Sequence, residues 1–157
     1  MRIDDDLLWV FLCIGMAILG LGVYLGWGTA QGKGTDTIEL TRVNKNEIEV
    51  VDGDTVRIGH NSYRLMGFDT PETTLAKCES EIVAGDAAAL RLSELIVLSK
   101  NVQMDYRGKD KYKRTLAIMY IDGIDVASIL IQEGHAVAYT GRTKRRNWCE
   151  GGIGQKN

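Results

Sequence analysis

The first clear feature along the chain is a stretch with no polar rhythm at all: Leu7 to Trp27, 21 positions without a charged side chain. A helix of that length rises about 30 Å, the thickness of one hydrocarbon core. Trp9 and Trp27 stand near its two ends, where indole rings favour the membrane–water interface. Residues 1–28 are therefore expected to be an N-terminal membrane anchor, a single transmembrane helix. Gly28-Thr29-Ala30 also has the small-x-small form of a signal cleavage site. The apolar run is longer than a usual signal core, and the start Met-Arg-Ile-Asp-Asp-Asp is acidic, which favours an uncleaved anchor. Gly- and polar-rich residues follow, so 29–37 reads as a linker.

From there the pattern is that of a soluble domain over 38–157. Short β-type runs cover Glu47–Val51, Thr55–Ile58 and Tyr63–Met66. Turn residues at 59–62 make 55–66 a hairpin. Glu81–Ser99 reads as a helix with Ala87, Ala88, Leu90, Leu95 and Leu98 supplying its apolar face. Val102–Tyr106 and Thr115–Ile121 read as strands. Asp125 is placed to cap a helix over 126–133, with Gly134 as its terminator. Three strands, a helix, two strands and a helix predict a small β-barrel with helices packed around it, an α+β fold.

Charge changes the picture little. The formal net charge is −2, from 19 basic and 21 acidic residues. Beyond residue 34, with Arg2, Lys33 and Asp4–Asp6 set aside, 17 and 18 remain. That balance does not by itself mark a nucleic-acid binder. Two basic clusters stand out, Arg107 to Arg114 and Arg142 to Arg146.

Three polar clusters carry candidate chemistry: Asp52-Gly53-Asp54-Thr55, Arg64 to Glu72, and Asp110-Lys111-Tyr112-Lys113-Arg114. Asp54 and Asp69 stand at predicted strand ends and offer hard carboxylate oxygens, which suit Ca²⁺ or Mg²⁺ better than zinc. A helix–loop–helix calcium loop starting at Asp52 is excluded. Its acidic, glycine and closing glutamate positions would fall on Val56, Arg57 and Tyr63. Any metal site must be assembled from separate segments. Arg64 and Arg114 offer planar forks that match phosphate. Glu72 can hold or deprotonate a water. Two guanidinium groups, a divalent metal and a carboxylate facing water are what phosphodiester hydrolysis needs.

In their order and spacing these clusters resemble the staphylococcal nuclease (thermonuclease) family, whose pattern is DGDT, RLxxxDTPE and DKYxR. Here it stands as VVDGDTVRI, YRLMGFDTPE and DKYKRTLAIMY, followed by DGIDVASILIQEGHAVAY. The resemblance covers about residues 46–140. It implies an OB-fold barrel and a calcium-dependent nuclease acting on DNA and RNA and leaving 3′-phosphates. It implies that Arg64, Glu72 and Arg114 are catalytic: the arginines on phosphate, Glu72 on the attacking water. It makes Asp54, Asp69 and the Thr70 carbonyl the metal ligands, with Asp52 in support. Lys111 and Tyr112 match substrate phosphate contacts. At Tyr139 the match slips by about one residue. The chain departs from the pattern in lacking a long C-terminal helix. The basic run Arg142–Arg146 is expected to cover that side, as in the short bacterial forms.

Cys13 falls inside the apolar run. Shorter family members carry a Cys after the Asp-Thr-Pro-Glu loop and a terminal Trp-Cys. The resemblance therefore implies a Cys78–Cys149 disulfide, with two free thiols as the alternative. A disulfide and a calcium enzyme both fit an extracytoplasmic domain, although Lys33, Arg42 and Lys45 lean towards a cytoplasmic one. The rival function is a catalytically weak, membrane-anchored nucleic-acid-binding module in DNA uptake or transfer. No protein partner is implied. His60 and His135 fall outside every motif.

Overall fold

The computed structural model describes residues 39–149. The predicted anchor, the linker and Cys13 lie outside them. Among the described residues no helix is long and apolar enough to cross a membrane.

A mixed sheet runs in the order β1-β6-β7-β4-β3-β2. These strands are β1 (Thr41–Val43), β2 (Ile48–Asp52), β3 (Thr55–Ile58), β4 (Asn61–Leu65), β6 (Val102–Lys109) and β7 (Thr115–Ile121). Neighbours are antiparallel except β4 and β7, which pair in parallel, Arg64 opposite Leu116. A two-residue strand β8 (Ile124–Asp125) adds to β7. Separately, β5 (Gly67–Asp69) pairs with β9 (Val137–Tyr139). Two helices, α1 (Glu79–Leu98) and α2 (Val126–Gln132), complete a curled half-barrel of the OB type. The core is Val56, Leu65, Phe68, Leu92, Met104, Met119, Val126 and Leu130 with their neighbours, contributed by both helices and the inner face of the sheet.

The strands read from alternation are present, because half-buried strands show a period of two. Alternation does not show four strands, β1, β5, β8 and β9; the segment DGIDVASILIQEGHAVAY, which resembles the family's second helix and exit strand, contains β9. At two or three residues each, none is long enough to show a period.

Helix α1 corrects the predicted apolar face. It buries Glu81, Gly85, Ala88, Leu92 and Ile96, steps of three and four that make one helical stripe. Leu90 and Leu98, expected inside, are 63% and 78% exposed. Gly85 belongs to the buried stripe because the helix crosses the Pro71–Glu72 backbone there. A Cβ on Gly85 would lie 2.8 Å from the Glu72 carbonyl oxygen. No basic residue falls in the last turn of α1. Lys45 supplies that charge from outside, donating to the Val97 and Ser99 carbonyls at 2.7 Å each. The Asp125 side chain caps α2 by accepting from Ala127 N–H at 2.9 Å.

Candidate active site

The β2–β3 turn is tight at Gly53, where a Cβ would meet Ala88 and Thr70 side-chain atoms at 2.8 Å. That approach sets the turn against α1 and the residues after β5, so Asp54 shares Arg64 with Asp69 and Asp52 adjoins Glu72. Leu65 N–H donates to the Asp54 carbonyl at 2.8 Å and fixes β4, hence Arg64, beside them. Pairing with β9 holds Asp69 opposite Val137 at the end of β5.

Asp54, Asp69 and Thr70 are buried. The Arg64 guanidinium lies between the two aspartates. It pairs with Asp54 Oδ2 through Nη1 and with Asp69 Oδ1 through Nη2 at 3.4 Å. It also donates to the Asp54 and Phe68 carbonyls, both at 3.3 Å. Burial pushes Arg64 down to about 10; Asp69 works against that, while the charges of Arg145 and Arg114 add to it. Asp52 accepts from Gly53 N–H at 2.8 Å. Burial raises its pKa to about 6; the Gly53 bond opposes this and the adjoining Glu72 carboxylate adds to it. Asp52, Asp54, Arg64, Asp69 and Glu72 therefore meet in one cluster.

The other predicted residues form a rim. In the β6–β7 connection, Asp110 accepts from Tyr112 N–H and Arg114 N–H at 2.9 Å each and from Arg114 Nε at 2.8 Å. Lys111 Nζ and the Arg114 guanidinium lie 4.9 and 5.7 Å from the exposed Tyr112 ring. Arg114 pairs with Asp110, not with the cluster carboxylates. Its influence on Arg64 is that of a nearby charge.

One residue enters that no motif named. Arg145 comes in from the segment after β9. Its Nε and Nη2 reach Asp69 Oδ1 at 2.6 and 2.5 Å, and its Nη1 pairs with Glu72 Oε1. Burial works against its charge, but hydrogen bonds to Asp69 and Glu72 carry its pKa above the ordinary value. The only sequence signal was the basic run Arg142–Arg146, which does not single out one member. The Cys78 and Cys149 sulfurs are bonded, 71 residues apart, with their Cα atoms 6.0 Å apart. This ties the same segment to the start of α1.

The donor set fits a hard divalent cation. Four carboxylates meet, and buried Asp69 Oδ2 and Thr70 Oγ1 have no hydrogen-bond partner. The carboxylates do not close on one point, however. Among the described residues the single acidic or sulfur group whose ligand atoms all fall within 4.8 Å is Cys78, Glu81 and Cys149, whose two sulfurs bond each other.

Residues 62–150 match the family described as staphylococcal nuclease homologue. Among individual proteins, the SPbeta prophage-derived endonuclease YokF of Bacillus subtilis is 39% identical over 99 residues, 57% of this chain and 32% of its own length. Endonuclease YncB of the same organism is 37% identical over 107 residues, 62% of this chain and 49% of its own. The chain thus spans half or less of these two relatives. Thermonuclease of Staphylococcus intermedius is 30% identical over 136 residues, covering 82% of this chain and 77% of that protein.

Proposed function

The chain belongs to the staphylococcal nuclease family, and on that premise we propose that it is a calcium-dependent endonuclease hydrolysing the phosphodiester bonds of DNA and RNA. The observation that carries this reading is the cluster itself. Segments distant in sequence bring two aspartates, Glu72 and Arg64 together, with a buried Asp69 oxygen left unpartnered.

Asp54, Asp69 and the Thr70 carbonyl would hold calcium, with Asp52 behind them. Bound there, the cation would supply positive charge beside the phosphate. Arg64 binds a non-bridging phosphate oxygen from the inner side, and Arg114 approaches from the rim. Together they stabilise the negative charge that gathers on the equatorial oxygens as the phosphorus becomes five-coordinate. Glu72 orients the attacking water and accepts its proton. Lys111 and Tyr112 hold the neighbouring phosphate. The phosphate stays on the 3′ side of the cut, giving 3′-phosphates and 5′-hydroxyls.

The test is cleavage of single-stranded DNA and of RNA by the full chain with calcium, magnesium or chelator, beside Glu72→Gln. Calcium-dependent cleavage to 3′-phosphate ends, reduced by orders of magnitude in the variant, is expected. Tight binding without cleavage under any metal would replace this reading with the nucleic-acid-binding module.

We also propose that residues 7–27 anchor the enzyme in a membrane with the catalytic domain outside the cytoplasm. The 21-residue uncharged run and a disulfide suited to an oxidising compartment support this. The chain should resist alkaline extraction from membranes and be digested by protease added from outside. Release by alkali, or full protection from the protease, would rule it out.

A further inference from the structure

Arg145 stands where the cluster's carboxylates would otherwise converge. Its guanidinium places two nitrogens on Asp69 Oδ1, one on Glu72, and Nη2 4.0 Å from Asp54 Oδ2. Calcium takes oxygen ligands at about 2.3–2.6 Å. Arg145 Nη2, 2.5 Å from Asp69 Oδ1 and 4.0 Å from Asp54 Oδ2, therefore stands in the space that a calcium ion shared by the two aspartates would take. Two cations cannot occupy it at once. Guanidinium groups now stand among the carboxylates, Arg64 and Arg145 both on Asp69 Oδ1.

The way Arg145 is held differs from the way Arg64 is held. Arg64 sits inside strand β4 and donates to two backbone carbonyls. Arg145 lies in a segment without helix or strand, among exposed residues 140–147. Among the described residues, the side chain of Arg145 makes every hydrogen bond from 140–148 to the rest of the domain. Cys149, four positions on, is bonded to Cys78. A guanidinium on a short tether is present at high effective concentration yet is free to leave without disturbing any strand.

We propose that Arg145 is a tethered, built-in occupant of the acidic site, and that it and the divalent cation are alternative occupants of it. This rests on the metal-site reading above. Metal entry displaces the guanidinium from Asp69 and Glu72, which leaves Glu72 free to take a proton. In metal-free protein Arg145 neutralises carboxylates that would repel one another. The disulfide acts through the tether: cutting it lowers the local concentration of the competing cation without altering a ligand.

The test is a calorimetric calcium titration of the full chain in detergent, without substrate. If Arg145 is seated about nine-tenths of the time, Arg145→Gln binds calcium about tenfold more tightly than wild type. Arg145→Lys keeps a cation and should fall between them. Cys78→Ser/Cys149→Ser, with Arg145 intact, should also tighten binding. In chelator Arg145→Gln should melt below wild type, and calcium should raise its melting temperature by more. Asp69→Asn should abolish binding in both backgrounds, which ties the titrated ion to this site. Circular dichroism checks that each variant is folded. Equal or weaker calcium binding by folded Arg145→Gln, with wild type still binding, overturns this proposal and leaves the metal site standing. No calcium binding by any folded form overturns both.

Discussion

Gly85→Ala sets two effects of known sign against each other. In an exposed helix interior, replacing Gly by Ala stabilises by about 1 kcal/mol, because the unfolded chain loses freedom and the helix gains a good former. At position 85 the new Cβ would lie 2.8 Å from the Glu72 carbonyl oxygen and 3.0 Å from the Pro71 carbonyl oxygen and the Glu72 carbonyl carbon. All three are backbone atoms, so no flexible side chain can move aside. Overpacking of this kind costs about 1–3 kcal/mol. The clash should cancel or exceed the propensity gain, for a net loss of up to about 2 kcal/mol. Relief comes only by moving α1 away from the Pro71–Glu72 segment, which carries the proposed base. A shift of a few tenths of an ångström should lower turnover by about tenfold, since misplacement by 1 Å can cost about a hundredfold. Urea unfolding in chelator gives the first quantity and initial cleavage rates the second. Asp86→Ala, one position along on the exposed side, is the control and should be neutral or slightly stabilising. A Gly85→Ala protein about 1 kcal/mol more stable than wild type, with unchanged turnover, would refute the reasoning.

Arg64→Ala and Arg114→Ala should separate fold from chemistry. Removing Arg64 leaves Asp54 and Asp69 buried with less compensation and should cost about 3 kcal/mol or more in urea unfolding. Among the described residues Arg114 has one ion pair, with Asp110 at the surface, so its loss should cost under about 1 kcal/mol while turnover falls at least as steeply. Wild-type rates for Arg114→Ala would remove it from the mechanism. Asp52 sets a pH test in the metal-free protein. Its pKa is raised from 3.8 to about 6, so between those values the native state holds more protons than the unfolded chain. Its contribution to stability therefore falls as pH rises through that window and stays low above it. Asp52→Asn should be more stable than wild type at pH 7 by about 1 kcal/mol, allowing for partial solvent access, and lose that advantage below about pH 4. An advantage that grows on acidification would reverse the assignment.

What the sequence made legible follows from length and periodicity. The strands at 48–52, 55–58 and 115–121 and the helices from 79 and 126 all have several residues on a buried face, so their rhythm survives in one sequence. Strand β5 has three residues inside a polar motif and reads as a loop, yet its pairing with β9 orients Asp69. On α1 the expected apolar face holds at Ala88 but not at Leu90 and Leu98, which are exposed, while Gly85, Leu92 and Ile96, left off it, are buried. Gly85 and Ala88 must be small because the Pro71–Glu72 backbone and the turn at Gly53 approach the helix closely there. Asp54, Arg64, Asp69 and Glu72 were legible because each motif is short and held by local turns. Arg145 was not, since its place depends on a covalent bond to residue 78 and on a segment with no periodic structure.

The pairings that shape the cluster are remote along the chain. Strand β4 needs β7, β5 needs β9, and Cys78 waits for a partner 71 residues later. Contacts of such separation are slow to form and are made late in folding. A chain synthesised or exported amino-end first carries Asp54, Arg64, Asp69 and Glu72 well before it has the strands that aim them. An unfinished copy, or one clipped before residue 137, thus holds the acidic and basic groups of the cluster without their geometry. The topology works as a timer: the cluster takes its geometry only once residues 137–139 and Cys149 are present to pair with β5 and Cys78.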